Sequence, residues 1–291
     1  METKANGALQ VADPLSRTHV RIGHIKFTNA LPICHFLDRS DPEIEFLPGA
    51  PSELNAWLAD GTVDAGLCSS FAYAYNADDY VALRGLSVSS RGPVGSIFFF
   101  SKRPLEELNG CVVALPTISA SSSNLLRILL AEAGITPSKY VTLEPDLPSM
   151  LEQAEAALLI ADDALYWSVQ DHGCHLYDLG EEWNVRTGHS MTFALCAIPK
   201  RLVRENPEKV RKIHRFFLEG KRKGLADMDA VIAEATRMLG QTEEFWRNYF
   251  NKLRYDLDEE WAVGANAYFD AAYRHGLIPK PAKVELWGDE E

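Results

Sequence analysis

What the chain lacks narrows its function before any motif is considered. Its longest apolar runs, such as Ile97 to Phe100, fall far short of the ~20 residues needed to span a bilayer. Met1 to Thr18 contains neither the apolar core nor the cleavage pattern of a secretory signal, so residues 1–18 read as a polar, flexible tail and the expected compartment is the cytoplasm. Cysteine is scarce: Cys34, Cys68, Cys111, Cys174 and Cys196 are odd in number, widely spaced and form no C-x-x-C pair. A disulfide framework is therefore not expected. Cys68, Cys111 and Cys196 lie in apolar runs, where free cysteine behaves as a small hydrophobe, and a reducing cytoplasm suits them.

Positive charge is also in deficit. Lys and Arg number 29 against 41 Asp and Glu, a net charge of −12, and no basic stretch interleaves with aromatics. Nucleic acid and anionic membranes are accordingly excluded as expected partners. A small anionic ligand is not, because local N–H donors outweigh a distant negative field that salt screens beyond ~8–10 Å. G-x-S-x-G, Walker and dinucleotide glycine motifs are missing as well, which leaves nucleophilic catalysis, nucleotide hydrolysis and NAD use without support. His172-Gly173-Cys174-His175 lacks the paired spacing of a zinc site and reads as a surface turn. No metal and no cofactor are expected.

What is present is an alternation of short apolar strands with helical stretches, the pattern of an α/β protein with mixed, mostly parallel sheets. Strands are expected at Val20 to Phe27, Ile44 to Leu47, Val63 to Leu67, Ile97 to Phe100, Val112 to Leu115, Val141 to Leu143, Ala156 to Ile160, His175 to Tyr177 and Met191 to Ile198. Helices are expected through Leu54, Trp57 and Leu58 with a stop at Gly61, from about Asn124 to Ala133, and in the C-terminal stretches Pro207 to Lys223, Asp229 to Leu239, Thr242 to Asn251 and Asp258 to His275. A length of 291 residues accommodates two lobes. Lobe one spans 19–103 plus 195–291 and lobe two spans 104–194, so the chain crosses twice and implies a hinge beside a ligand cleft.

Polar residues gather just after the expected strands, where open α/β sheets bind ligands: Asn29, Ser69-Ser70, Ser96, Ser119 to Ser122, and Asp162. Ser119-Ala120-Ser121-Ser122 leads into a helix whose free N–H groups and dipole favour an anion; alternatively one serine only caps that helix. Asn29 reads either as a ligand donor or as an Asx-turn residue. Asp162 reads as a general base or, preferably, as the N-cap of the Ala164-Leu165 helix. Ser96 is a cleft or turn residue. His24 and His189 are plausible cleft residues or structurally satisfied ones.

In order along the chain, Arg21-Ile22-Gly23-His24-Ile25, Phe27-x-Asn29-x-x-Pro32, Pro51-Ser52-Glu53-Leu54-Asn55, Gly61-x-Val63-Asp64, Gly92-Pro93-Val94-x-Ser96, Ser119-Ala120-Ser121-Ser122, Asp162-Asp163-Ala164-Leu165 and Asp178-Leu179-Gly180-Glu181-Glu182-Trp183 with Thr187-Gly188 resemble the chorismate dehydratase family of the futalosine route to menaquinone. The resemblance implies a two-lobed periplasmic-binding-protein type II-like fold. It also implies a hydro-lyase turning chorismate into 3-(1-carboxyvinyloxy)benzoate and water, with the substrate's enolpyruvyl carboxylate as base. Carried over, Asn29 and Ser96 would be catalytic. Ser119, Ser121 and Ser122 would hold a carboxylate. With Ser69, Ser70, Asp162 and His189, placed by their strand-end or cleft positions, they make up the expected substrate-binding residues of a monomer or homodimer. Two departures stand out: Ala161 replaces a glycine before the aspartate, and Pro116-Thr117-Ile118 replaces a Ser/Thr-rich approach to the serine loop.

Two other functions fit the same layout. One is the sibling 1,4-dihydroxy-6-naphthoate synthase, whose opening Ser-Pro-Cys-Pro-Asn-Asp-like segment is not matched by Lys26-Phe27-Thr28-Asn29. The other is a non-catalytic cytoplasmic protein that binds or senses a small anion, since fold does not fix function.

Overall fold

The computed structural model describes residues 19–288; the expected tail of residues 1–18 lies outside them. The strands are β1 (Val20–His24), β2 (Ile44–Pro48), β3 (Ala65–Ser69), β4 (Tyr80–Ser90), β5 (Ile97–Ser101), β6 (Val112–Pro116), β7 (Lys139–Leu143), β8 (Ala156–Ile160), β9 (His175–Asp178), β10 (Met191–Pro199), β11 (Leu253–Arg254) and β12 (Leu286–Trp287). The helices are α1 (Leu31–Cys34), α2 (Pro51–Asp60), α3 (Ser70–Tyr75), α4 (Ser121–Glu132), α5 (Leu147–Gln153), α6 (Ala161–Ser168), α7 (Leu179–Thr187), α8 (Lys200–Glu205), α9 (Pro207–Ala226), α10 (Met228–Leu239), α11 (Glu243–Phe250) and α12 (Glu259–Arg274).

Local chemistry accounts for many of these boundaries. Helix α2 opens with Pro51 in its first turn, the Glu53 carboxylate accepts the Ala50 N–H at 2.8 Å, and Gly61 ends the helix in the left-handed region at φ 77°. Helices α9, α10, α11 and α12 are each capped by a side chain accepting a first-turn N–H, from Asn206, Asp227, Thr242 and Asp258.

The strands form two sheets, one of seven strands ordered β11-β4-β10-β3-β1-β2 with β12 also on β4, and one of five ordered β7-β6-β8-β5-β9. Parallel β2-β1-β3 pairing follows from the crossover segments containing α1 and α2, and β10 returns antiparallel between β3 and β4. Five pairings are parallel and five antiparallel, so the sheets are evenly mixed rather than mostly parallel. Strand β5, expected at the close of the first lobe, belongs to the second sheet, antiparallel to both β8 and β9. That central place covers both Phe99 and Phe100, which are fully buried. The chain thus passes between sheets through residues 91–96 and returns through residues 188–190.

The long strand β4 was not expected at all. Its second half, Ser87-Val88-Ser89-Ser90, looks polar, yet all three serines are buried because their hydroxyls have partners: Ser87 donates to the Asp256 carbonyl at 2.6 Å, Ser89 to the Thr192 hydroxyl at 3.0 Å and Ser90 to the Gly92 carbonyl at 3.0 Å. Cys34, Cys68 and Cys196 are buried and all five cysteines are unpaired. Among the described residues no helix is long and apolar enough to cross a membrane.

Candidate active site at the strand ends

The carboxyl ends of β1, β2 and β3 point to one edge of the first sheet, and both crossings leave and rejoin at that edge beside the paired residues Ser90 and Met191. After β1 the chain forms a 3-10 turn over Thr28–Ala30 and runs directly into α1. The position of α1 is set by α9. A side-chain carbon at Gly224 would come within 2.1 Å of the Pro32 carbonyl oxygen, and one at Gly220 within 2.6 Å of that of Ile33. These glycines let the two backbones touch, which places the adjoining turn. Asn29 is half-buried on it, and its amide has no hydrogen-bond partner among the described residues.

Thr28 ties the turn to α6. Its N–H and its hydroxyl both donate to one carboxylate oxygen of Asp162, at 3.1 and 2.7 Å. Asp162 therefore does not cap its own helix: α6 starts at Ala161, and the carboxylate sits in the first turn facing the other sheet's turn. Burial raises the Asp162 carboxyl above its ordinary range, and the two Thr28 bonds work against that rise. Ala161 has φ 51° and donates its N–H to the Ser96 carbonyl at 2.7 Å. A left-handed residue is what that junction requires, and alanine adopts it at a cost.

Ser96 closes the first crossing. Gly92 and Gly95 take φ 91° and 74°, and the loop they shape is gripped by Asp178. One oxygen of this buried carboxylate accepts the N–H groups of Val94 (3.0 Å), Gly180 (2.9 Å) and Glu181 (3.2 Å), and the other accepts that of Gly95 (2.7 Å). Asp178 is at once the cap of α7 and the anchor of the crossing. The close approach also explains Gly180, where a side-chain carbon would lie 2.7 Å from the Gly92 carbonyl oxygen. Ser96 itself is buried, and its hydroxyl oxygen accepts the Tyr249 phenol at 2.9 Å.

The serine segments separate into hydroxyls that are used and hydroxyls that are not. Ser69 caps α3 by accepting the Ala72 N–H at 3.2 Å, and Asn55 braces it by accepting the Ser69 N–H at 3.1 Å. Ser70 donates to the Thr192 carbonyl at 2.6 Å. Ser121 donates to the Phe193 carbonyl at 3.1 Å and accepts the Phe71 N–H at 3.0 Å, and its own carbonyl accepts the Tyr268 phenol at 3.0 Å. By contrast Ser119 and Ser122 have no side-chain hydrogen bond among the described residues, and the Ser123 hydroxyl is buried without a partner. No side chain caps α4, whose N-cap is Ala120. The helix starts at Ser121 rather than near Asn124, so Ser121, Ser122 and Ser123 lie in its first turn, where main-chain N–H groups lack intrahelical acceptors, and Ser119 precedes the N-cap.

His189 lies on the return crossing. Its N–H donates to the Thr187 hydroxyl at 3.1 Å and its carbonyl accepts the Asn184 amide at 3.0 Å, but its ring meets none of the residues above by a hydrogen bond. The other candidate histidine, His24, borders a cavity of about 570 Å³ at the ends of β1 and β2, shared with Lys26, Phe27, Arg39 and Arg237. Burial, then the cations of Arg39 and Lys26, push its imidazole down to about 4. Among the described residues no cluster of three or more His, Cys, Asp or Glu could hold a metal ion.

The structure thus joins Asp162 to the turn that bears Asn29, connects Ser96 to Ala161 through the main chain, and joins Ser70 to Ser121. Thr28, Asp178 and Tyr249 were missed. Each has a partner more than 80 positions away in the chain (Thr28 with Asp162, Asp178 with Val94, Tyr249 with Ser96), and only the place of Asp178-Leu179-Gly180 among the segments that carry the family resemblance hinted at one of them.

A model of the family described as menaquinone biosynthesis matches residues 20–274. The chain is 31% identical over 265 residues to a chorismate dehydratase of Thermus thermophilus, an alignment covering 86% of this chain and 94% of that one. It is 30% identical over 248 residues to a 1,4-dihydroxy-6-naphtoate synthase of the same organism, covering 79% and 85%. Among solved structures, a protein of Archaeoglobus fulgidus superposes with a TM-score of 0.76 at 19% identity, covering 90% of this chain and all 100% of that one. The periplasmic aliphatic sulphonate binding protein of Escherichia coli superposes with a TM-score of 0.66 at 18% identity, covering 95% and 96%. The latter two bear on the fold, which is periplasmic-binding-protein-like.

Proposed function

The chain belongs to the menaquinone biosynthesis family, and on that premise we propose that it is a chorismate dehydratase, a hydro-lyase converting chorismate into 3-(1-carboxyvinyloxy)benzoate and water. Identity alone does not separate the two Thermus relatives, at 31% and 30%. The observation that carries the choice is the turn after β1. It carries Phe27-x-Asn29-x-x-Pro32, which resembles the dehydratase opening and not the synthase's, and it leaves the Asn29 amide unspent while Thr28 is locked to Asp162.

The reaction removes a ring proton and the neighbouring hydroxyl, and the ring becomes aromatic. An enzyme for it must hold one conformer of a dianion and place donors where charge develops. In our reading the two sheets are the cores of two lobes, with the substrate between them at the strand ends. The Asn29 amide and Ser96 hydroxyl meet the reacting ring. The Ser119 and Ser122 hydroxyls, with the first-turn N–H groups of α4, take a carboxylate. The substrate's enolpyruvyl carboxylate removes the proton. Ser69, Ser70 and Ser121, whose hydrogen bonds are largely committed to the protein, shape the floor of the site, and Asp162 holds the Asn29 turn in place. His189 lies at the rim. We place the reaction in the cytoplasm, where the five unpaired cysteines stay reduced, and in a monomer or homodimer.

The test is direct. Purified protein treated with chelator is incubated with chorismate and the products are followed by mass spectrometry; a product lighter by one water is expected. Asn29→Ala should keep the fold and lower kcat by about 10²–10³, the range for a lost transition-state donor. Calorimetry showing tight chorismate binding without turnover would replace this reading with that of an anion-sensing protein.

A further inference from the structure

The Ser96 hydroxyl can donate one hydrogen bond and accept two. In the structure it accepts one, from the Tyr249 phenol at 2.9 Å, and its own proton meets no acceptor among the described residues. Ser96 is 1% exposed, so that proton has no bulk water to satisfy it. The phenol is held rigidly. Tyr249 is buried on α11, its ring packed against Trp246 and Phe250 at centroid distances of 5.9 and 5.3 Å. A side-chain carbon on Gly95 would come within 3.3 Å of the Tyr249 ring, so the crossing loop lies directly on it. Burial pushes the phenol well above its ordinary range, which keeps it protonated and a donor at any working pH.

We propose that Tyr249 is a positioning residue: by donating to the Ser96 oxygen it turns the serine hydroxyl into a donor of fixed direction, aimed at the substrate. This deepens the reading above and rests on Ser96 meeting the substrate. Without the phenol nothing fixes the rotation of the serine hydroxyl, and only a fraction of its rotamers point the proton at the substrate. The effect belongs to kcat more than to KM.

The test is a double-mutant cycle with Tyr249→Phe and Ser96→Ala, read by steady-state kinetics on chorismate, with Tyr255→Phe as a control for loss of a buried phenol. The Tyr255 hydroxyl is buried without a partner, so its removal probes the core and not Ser96. Tyr249→Phe should lower kcat about 5–10-fold, the worth of one oriented hydrogen bond, with KM within about twofold. Added to Ser96→Ala it should change nothing further. Tyr255→Phe should leave kcat at the parental value. A Tyr249→Phe enzyme with parental kcat, an equal fall in the Ser96→Ala background, or the same fall in Tyr255→Phe would each overturn the proposal. Should the parent bind chorismate without converting it, the dehydratase reading fails, and the same cycle is read on Kd, where additivity overturns the proposal independently. Absence of any chorismate binding overturns both.

Discussion

Asp178→Asn is the sharpest available perturbation of the crossing loop, because it keeps the shape of the side chain and removes one acceptor and the charge. The amide oxygen of asparagine can retain the three N–H groups of Val94, Gly180 and Glu181, which now share one carboxylate oxygen. The amide nitrogen must then face the Gly95 N–H, at present 2.7 Å from the second oxygen, donor against donor. The loss comprises one hydrogen bond to a charged group, about 1.5–3 kcal/mol, and a buried donor left unmade, about 1–3 kcal/mol. A negative charge at the start of α7 adds about 0.3–1 kcal/mol. We expect unfolding free energy to fall by about 3–5 kcal/mol, a large share of the ~5–15 kcal/mol typical of a native protein. Urea titration followed by tryptophan fluorescence reads this well, since Trp183 is 1% exposed within the helix that Asp178 caps. The midpoint should drop at unchanged m, and kcat should drop with it because Ser96 rides on the same loop. A midpoint within the error of the parent would refute the assignment of Asp178 as the anchor of the crossing.

Three further outcomes are expected. Asp162→Asn keeps an oxygen for both Thr28 bonds and no longer buries a charge, so its stability should match the parent within about 0.5 kcal/mol, whereas Asp162→Ala should lose about 1–3 kcal/mol; equal stabilities of the two variants by urea titration would show that the Thr28 tie contributes nothing. Gly224→Ala forces α9 away from Pro32 and should cost about 1–3 kcal/mol and lower kcat through the displaced Asn29 turn; parental Tm and kcat together would contradict the account of how α9 sets that turn. His24 has a folded value of about 4 against 6.5 unfolded, so the unfolded chain binds the extra proton and stability present above 6.5 is lost as pH falls toward 4. His24→Gln should flatten that loss between pH 7 and pH 5, and an unchanged slope in urea midpoints would remove His24 from the acid response.

Much of the frame could be read from the chain itself, because it depends on local patterns. The apolar runs of β2, β5, β8 and β10, the proline and glycine bounds of α2 and the capped C-terminal helices all fell close to where composition and punctuation put them. Sheet membership could not be read in this way: the run Ile97 to Phe100 looks the same whether β8 or β4 lies beside it. Strand β4 escaped notice because its serines are buried only by virtue of Asp256, Thr192 and Gly92. Asp162 shows the same limit at the site. Its position before Ala164-Leu165 pointed to a cap, and only the approach of Thr28 from the other sheet draws the carboxylate away.

The distribution of hydroxyl partners bears on how a fold shared with a sulphonate-binding protein can carry out an elimination. A binding protein needs donors that satisfy a finished anion; an enzyme needs at least one donor fixed where charge has yet to appear. In our reading Ser122 on the first turn of α4 and Ser119 just before its N-cap are of the former kind, unspent and collected at a helix start. Ser96 is of the second, with its oxygen tied from behind by a phenol and its main chain held between Ala161 and the loop that Asp178 anchors. Its direction is set by partners in both sheets' elements, since Tyr249 comes from α11 after the return crossing and Asp178 from β9. Any change in how those elements sit together must therefore act on Ser96 first, while the α4 donors, carried on a single helix, keep their geometry. Substrate capture and chemistry are expected to separate along that line: substitutions at Ser119 and Ser122 should appear in KM, and substitutions at Ser96 and its supports in kcat.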